Sequence, residues 1–330
     1  MYRIILVFFI GLQTLLVHAT DKSVSALQLI PENNKPYKAE TKITKINYSF
    51  EVSIKDTSLH LFHVRLSCTS NGSDTLDFRM ANWTTGYYQM MHYANNLQQF
   101  NVSDPVGHTL KWLKAGENIW KVFPGGNKKV IIEYDIVAKH RFVAGNYLDA
   151  TMGYISPAGV FIYPFNKLNQ PVTVTVKPFG NWTVASGMEN DLNSSVKNDR
   201  NKGSNIFYAD NFDILFDSPI LLGNIETFPA FKVKGIPHYF KAVKAGVFDR
   251  QIFMNDLGKM VEAASNIIGD IPYSHYSFLA MGPGGGGIEH LNSASIAFNG
   301  EEMNKRAGKI RTMNFLAHEY FHHYNVKRIR

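Results

Sequence analysis

The pentapeptide His318-Glu319-Tyr320-Phe321-His322 constrains this chain more than any other stretch. On an α-helix, positions i and i+4 project from one face a single turn apart, so His318 and His322 can reach one metal ion. Glu319, next in sequence but on another side of the turn, is placed to act as general base on a water acidified by that metal. Met313-Asn314-Phe315-Leu316-Ala317 leads in without Pro or Gly, and Phe315 and Phe321 supply apolar flanks, so a helix is predicted. The same letters also arise in a helix with surface histidines and an unrelated glutamate. What lies upstream decides between the two.

Upstream the chain reads as strand after strand. From about Asn47 to Lys177, runs such as 48–54, 59–66, 129–137 and 171–177 alternate or stay apolar, and each is bounded by turn residues such as Asn71-Gly72. Twenty-three Phe, 16 Tyr and 4 Trp suit an extensive sheet. Segment 207–225 reads as the closing part of this region. The pattern then changes: 248–268 carries apolar residues at helical spacing and stops at Gly269, and 276–281 reads as a strand. The expected fold is therefore α+β. It has an N-terminal antiparallel β domain (a sandwich or saddle) over residues 20–225 and a second domain over 226–330.

At the N-terminus, Arg3, an apolar core from Ile4 to Val17 and Val17-His18-Ala19 form a secretory leader over residues 1–19. The protein is expected to be exported, with no stable membrane insertion once the leader is removed. One cysteine, Cys68, allows no internal disulfide, so a core must hold the fold. The net charge of +7 is spread along the chain without a long basic run, which does not argue for a nucleic-acid partner. The cations of Val326-Lys327-Arg328-Ile329-Arg330 are read as complementing the dipole of a helix C-terminus.

Between the last strand and the motif helix lies Gly282-Pro283-Gly284-Gly285-Gly286-Gly287-Ile288-Glu289-His290. Such a run is either a flexible loop or a place where backbone approaches a ligand with no Cβ in the way. Flanking strand residues favour the second, since an edge strand opened by glycine can pair with an extended peptide. Glu289 is then either a solvated loop acid or a negative charge suited to a substrate's free α-amino group.

A glycine-rich strand ending in Glu, followed some thirty residues later by His-Glu-x-x-His, resembles the gluzincin aminopeptidases. The closer similarity is to the glycyl aminopeptidase family, peptidase family M61. Gly286 to His290 and Ala317 to Arg330 carry it, with Asp213 to Ile220 and Met80 to Tyr87 in support. The resemblance implies a secreted or periplasmic zinc exopeptidase, acting on peptides with N-terminal Gly or Ala. Its β domain would shield the site, and residues 226–330 would be the first part of a thermolysin-like catalytic domain. It also implies that His318 and His322 hold one Zn2+, that Glu319 is the general base, and that Glu289 binds the substrate amine. The Gly286-Gly287-Ile288 backbone would bind the peptide itself. The family's third zinc ligand, a Glu on a following helix, would lie beyond Arg330, so the chain is read as an N-terminal portion cut just after the motif helix. Glu301 and Glu302 are read as loop acids. The competing expectation is a non-catalytic secreted peptide-binding or adhesion protein with a degenerate two-ligand site.

Overall fold

Strands of two to nine residues, several with every second side chain buried, build the larger part of the molecule. In Val172–Lys177 the three valines are fully buried while Thr173 and Thr175 lie between them at partial exposure. Period-two alternation places one set of side chains on one sheet face, and each buried valine contributes roughly 1.5–3 kcal/mol of transfer free energy. The computed structural model describes residues 47–190 and 205–327; the leader at 1–19 lies outside them.

Tyr48–Ser53, Leu61–Thr69, Leu97–Ser103, Lys129–Val137, Val172–Lys177, Glu189–Asn190 and Asn205–Ala209 form a seven-stranded sheet. Two four-stranded sheets accompany it. One departure from the expected antiparallel domain is that Tyr48–Ser53 pairs parallel with Val172–Lys177, Tyr48 opposite Val172. Parallel neighbours need a long crossover, and more than a hundred residues separate these two strands. A second departure is at Leu59 and His60, expected in a strand: Thr57–Leu59 is a 3-10 turn, closed by His60 at φ 55°.

Three α-helices occur among the described residues: α1 (Phe212–Phe216), α2 (Arg250–Ile268) and α3 (Arg306–Asn325). In α2 the Asp249 side chain accepts from Ile252 N, and Gly269 ends the helix at φ 96°. A left-handed residue after the last turn is a position glycine takes without a Cβ clash. Phe253, Met254, Leu257, Val261 and Ala264 form its buried stripe. Ile252, Ile267 and Ile268, also at apolar positions in the sequence, are exposed. α2 bridges Ile236–Ala242 and Tyr276–Ala280, which pair in parallel as a helical crossover requires. These strands belong to a six-stranded sheet whose last members are Ser293–Ile296 and then Gly287–Glu289.

The described residues belong to one unit, Thr44–Arg330. One hydrophobic cluster runs from Tyr48 to Leu222 and another from Phe228 to Tyr324. A third cluster joins Val143, Ala144, Met152, Tyr154 and Leu221 to Val243, Met281 and Ile288. Cys68 is fully buried, and burial pushes its thiol up to about 12. It is a core side chain.

A buried polar relay fixes α3 against the sheet. His238 Nδ1 donates to Ile236 O (3.0 Å) and its Nε2 accepts from Tyr273 Oη (2.9 Å). Tyr273 Oη in turn bonds Tyr320 Oη on α3, which meets Ser265 Oγ of α2 at 3.1 Å. Burial, above all, pushes His238 down to about 4. The folded state therefore binds fewer protons than the unfolded chain between pH 6.5 and 4, and stability falls as pH falls through that window. Denaturant unfolding at pH 7 and pH 4.5 is expected to show about 2 kcal/mol of this loss, absent from His238→Gln. Equal pH dependence in the two proteins would exclude His238 as the source.

Candidate active site

α3 carries the motif in the geometry its spacing requires. His318 Nε2 and His322 Nε2 face each other at 2.9 Å, with ring centroids 4.3 Å apart and planes at 80°. His322 Nδ1 lies 3.3 Å from Asn325 Oδ1. A proton on Nδ1 donated to that amide oxygen leaves the His322 Nε2 lone pair directed at His318. Nitrogens bound at about 2.0–2.1 Å to one tetrahedral ion sit roughly 3.3 Å apart, so a shift of a few tenths of an ångström lets the pair hold a divalent metal. The donor chemistry fits. Among the described residues no group of three or more His, Cys, Asp or Glu side chains is placed to hold a metal.

The helix turns three different surfaces toward three different surroundings. His318 is exposed, Glu319 is buried at 5 %, and His323 is buried at 2 % against Tyr273, with ring centroids 4.8 Å apart. His323 is thus a core residue. Glu301 and Glu302 lie on the 3-10 turn Gly300–Asn304 that precedes α3. Glu301 accepts from Val247 N, while Glu302 pairs with Lys305 and Arg311. Both have local structural partners.

The glycine run supplies the other wall. Gly287–Glu289 is the edge strand, with Gly287 opposite Ile296 and Glu289 opposite Ala294. A Cβ on Gly287 would stand 2.4 Å from Glu319 Cδ and 2.8 Å from Phe315 Cζ, so the Glu319 carboxyl lies directly against this glycine. Glu289, buried at 5 %, ends the same strand. Burial first, and the Glu289 charge second, push Glu319 up to about 7. A cation on the neighbouring imidazoles would oppose that shift. The two carboxyl groups are therefore close enough to sense each other, one on the strand and one on the helix.

The β region closes over them. Gly86, at φ 82°, sits so near the strand that a Cβ there would be 2.7 Å from Ile288 Cγ2 and 3.1 Å from Glu289 Oε2. Tyr87 stacks edge-on against Phe142 at 5.0 Å, and the Phe142 ring lies against Gly286. Tyr154 Oη donates to Val143 O (2.8 Å) and lies 2.8 Å from Ser295 Oγ.

Two residues at this junction carry contacts that sequence reasoning did not assign. Asp217, just after α1, accepts from His290 Nδ1, and Lys327 at the end of α3 donates to it. The terminal cations were expected to complement the helix dipole; Lys327 is instead nearly buried in an ion pair, and Arg328 to Arg330 lie outside the described residues. Asp213 to Ile220 supported the family resemblance, but nothing in the local pattern indicates partners 73 and 110 positions away.

Known proteins share the fold. The chain is similar to an aminopeptidase N family protein from Idiomarina loihiensis, with a TM-score of 0.77 and 23% identity over 84% of this chain and 48% of that one. It is also similar to an M1 zinc metallopeptidase from Deinococcus radiodurans (TM-score 0.46, 11% identity, 83% and 63% coverage). The chain thus spans about half the length of the first of these structures. No curated protein matches it. The Peptidase M61 N-terminal domain family matches residues 49–224, more than half of the 330 residues. That match covers most of the β region, and the chain belongs to the peptidase M61 family.

Proposed function

We propose that this chain carries the metal-binding helix and the amine-binding strand of a zinc aminopeptidase that cleaves small N-terminal residues, Gly or Ala, from peptides. The observation that carries it is the convergence of three elements. Two imidazole nitrogens 2.9 Å apart belong to residues one before and three after a buried glutamate, and that glutamate packs on the strand ending in Glu289. Export to the periplasm or the cell exterior, with the leader at 1–19 removed, completes the proposal.

A divalent ion held by His318 and His322 would polarise the scissile carbonyl as a Lewis acid. Glu319 takes a proton from the attacking water and delivers it to the leaving amine. Burial raises its proton affinity and a cation on the imidazoles would lower it again, opposing influences that suit a group that must both accept and donate. Glu289 binds the substrate's free ammonium, fixing the first residue at the open edge of Gly287–Glu289, where the peptide adds as an extra strand. The Gly86 backbone crowds the Glu289 carboxyl, which supports a preference for a small first side chain.

A second reading, peptide binding without turnover, draws on the two-imidazole donor set among the described residues. Hydrolysis of glycyl and alanyl arylamides separates the two. Chelator treatment is expected to lower the rate about tenfold or more, with zinc restoring it. An N-acetylated substrate is expected to be poor, because it offers no ammonium to Glu289. Binding of the free-amine peptide with no turnover, or turnover indifferent to the chelator, would overturn the aminopeptidase proposal.

A further inference from the structure

We propose that Asp217 is a positioning residue that holds the strand bearing Glu289 and the helix bearing the His318–His322 pair in one fixed relation. This rests on the aminopeptidase reading for its functional consequence, though not for its structural one. The carboxylate lies at a meeting of four segments. Oδ1 accepts from His290 Nδ1 at 3.0 Å, from Lys327 Nζ at 2.9 Å and from Thr85 Oγ1 at 3.3 Å. Oδ2 accepts from the Leu291 amide at 2.9 Å. The side chains of His290 and Lys327 are 4% and 9% exposed, and that of Asp217 is 15% exposed. Burial acts to raise the Asp217 carboxyl. The His290 hydrogen bond and the charges of His290 and Lys327 outweigh it and hold the group ionised, below the usual range.

The consequence for Glu289 follows from strand geometry. Consecutive side chains point to opposite faces, so securing His290 on the Asp217 side commits Glu289 to the side of α3. His290 is held at its other nitrogen as well, 3.3 Å from Ser295 Oγ, which Tyr154 Oη meets at 2.8 Å. The ring is thereby fixed in orientation, with Nδ1 toward Asp217 and Nε2 toward Ser295. On the helix side, Lys327 follows the last turn of α3, little more than one turn beyond His322. Thr85 adds the β-region loop whose Gly86 covers Glu289. An Asn at 217 keeps the shape but turns an N–H2 toward one of these donors and leaves Lys327 with no counter-charge.

Hydrogen–deuterium exchange on the purified protein tests this directly, with Asp217→Asn and Lys327→Met compared with wild type. Asp217→Asn is expected to raise exchange about fivefold or more at the amides of Gly287 to Leu291 and of the last turn of α3 together, leaving Val172–Lys177 unchanged. Lys327→Met, which keeps the carboxylate, is expected to loosen only the end of α3. For a glycyl arylamide, Asp217→Asn should raise KM about tenfold and change kcat less than about threefold. A general loss of stability would instead raise exchange everywhere, without that division between KM and kcat. Unchanged exchange at Gly287 to Leu291 in Asp217→Asn, or at the end of α3 in Lys327→Met, overturns the proposal. If Asp217→Asn does not fold, the Lys327→Met result decides. The two readings fail separately: full activity of Glu319→Gln would end the peptidase reading and leave the exchange result standing. An inactive Glu319→Gln beside an Asp217→Asn with wild-type KM and exchange would end this inference alone.

Discussion

Replacing Glu319 by Gln is expected to lower kcat for a glycyl or alanyl arylamide by roughly 10²–10⁴-fold, the range over which a positioned general base contributes. The amide is nearly isosteric and cannot take a proton from water, so the loss falls on the chemical step. KM should change little, because the proposed contacts with the substrate amine and backbone belong to Glu289 and its strand. Stability should not fall. Glu319 is buried beside a second carboxyl, and both burial and the Glu289 charge disfavour its ionised form, so a neutral side chain relieves a cost. Zinc content should hold, since His318 and His322 are untouched. The measurement is steady-state kinetics with parallel metal analysis and thermal unfolding. Equal rates in the two proteins would remove Glu319 from its role.

Gly287→Ala is the second large effect expected, and it arises from close approach and not from backbone strain. Gly287 has no positive φ, so alanine can adopt its backbone conformation. Its methyl, however, would stand 2.4 Å from Glu319 Cδ, 2.5 Å from Oε1 and 2.8 Å from Phe315 Cζ. These are the outer ends of side chains, so the carboxyl and the ring yield before the strand does. A displacement of about 1 Å in a catalytic group can cost on the order of 100-fold in rate, and a loss of that size in kcat/KM is expected. The cost in stability should stay near the 1–3 kcal/mol typical of overpacking. Gly285→Ala serves as the control, because a Cβ there meets nothing within 4 Å. Similar losses in both variants would mean that the glycine run acts through flexibility. Wild-type activity in Gly287→Ala would mean that Glu319 does not work from the position it occupies here.

The two variants separate properties that the motif alone cannot. Gln at 319 changes chemistry at fixed geometry; Ala at 287 changes geometry at fixed chemistry. Both depend on the Gly287–Glu319 contact, made by residues 32 positions apart in sequence and belonging to an edge strand and a helix. Chelation tests the imidazole pair independently of that contact.

Local pattern was enough to place the motif helix, α2 with its Gly269 stop, and the strands at 48–53, 129–137 and 172–177, because helical and strand periodicities are written into neighbouring residues. It was also enough to bring His318 and His322 together, since four residues on a helix is a distance. Packing alone decided the rest. The parallel pairing of Tyr48–Ser53 with Val172–Lys177, the burial of Glu319 under Gly287, the cover of Gly86 over Glu289 and the four-way contact at Asp217 join residues 32 to more than 200 positions apart. Periodicity has no reach over such separations: an acid's neighbours, and therefore its charge state and its use, are set by which surfaces the cores bring into contact.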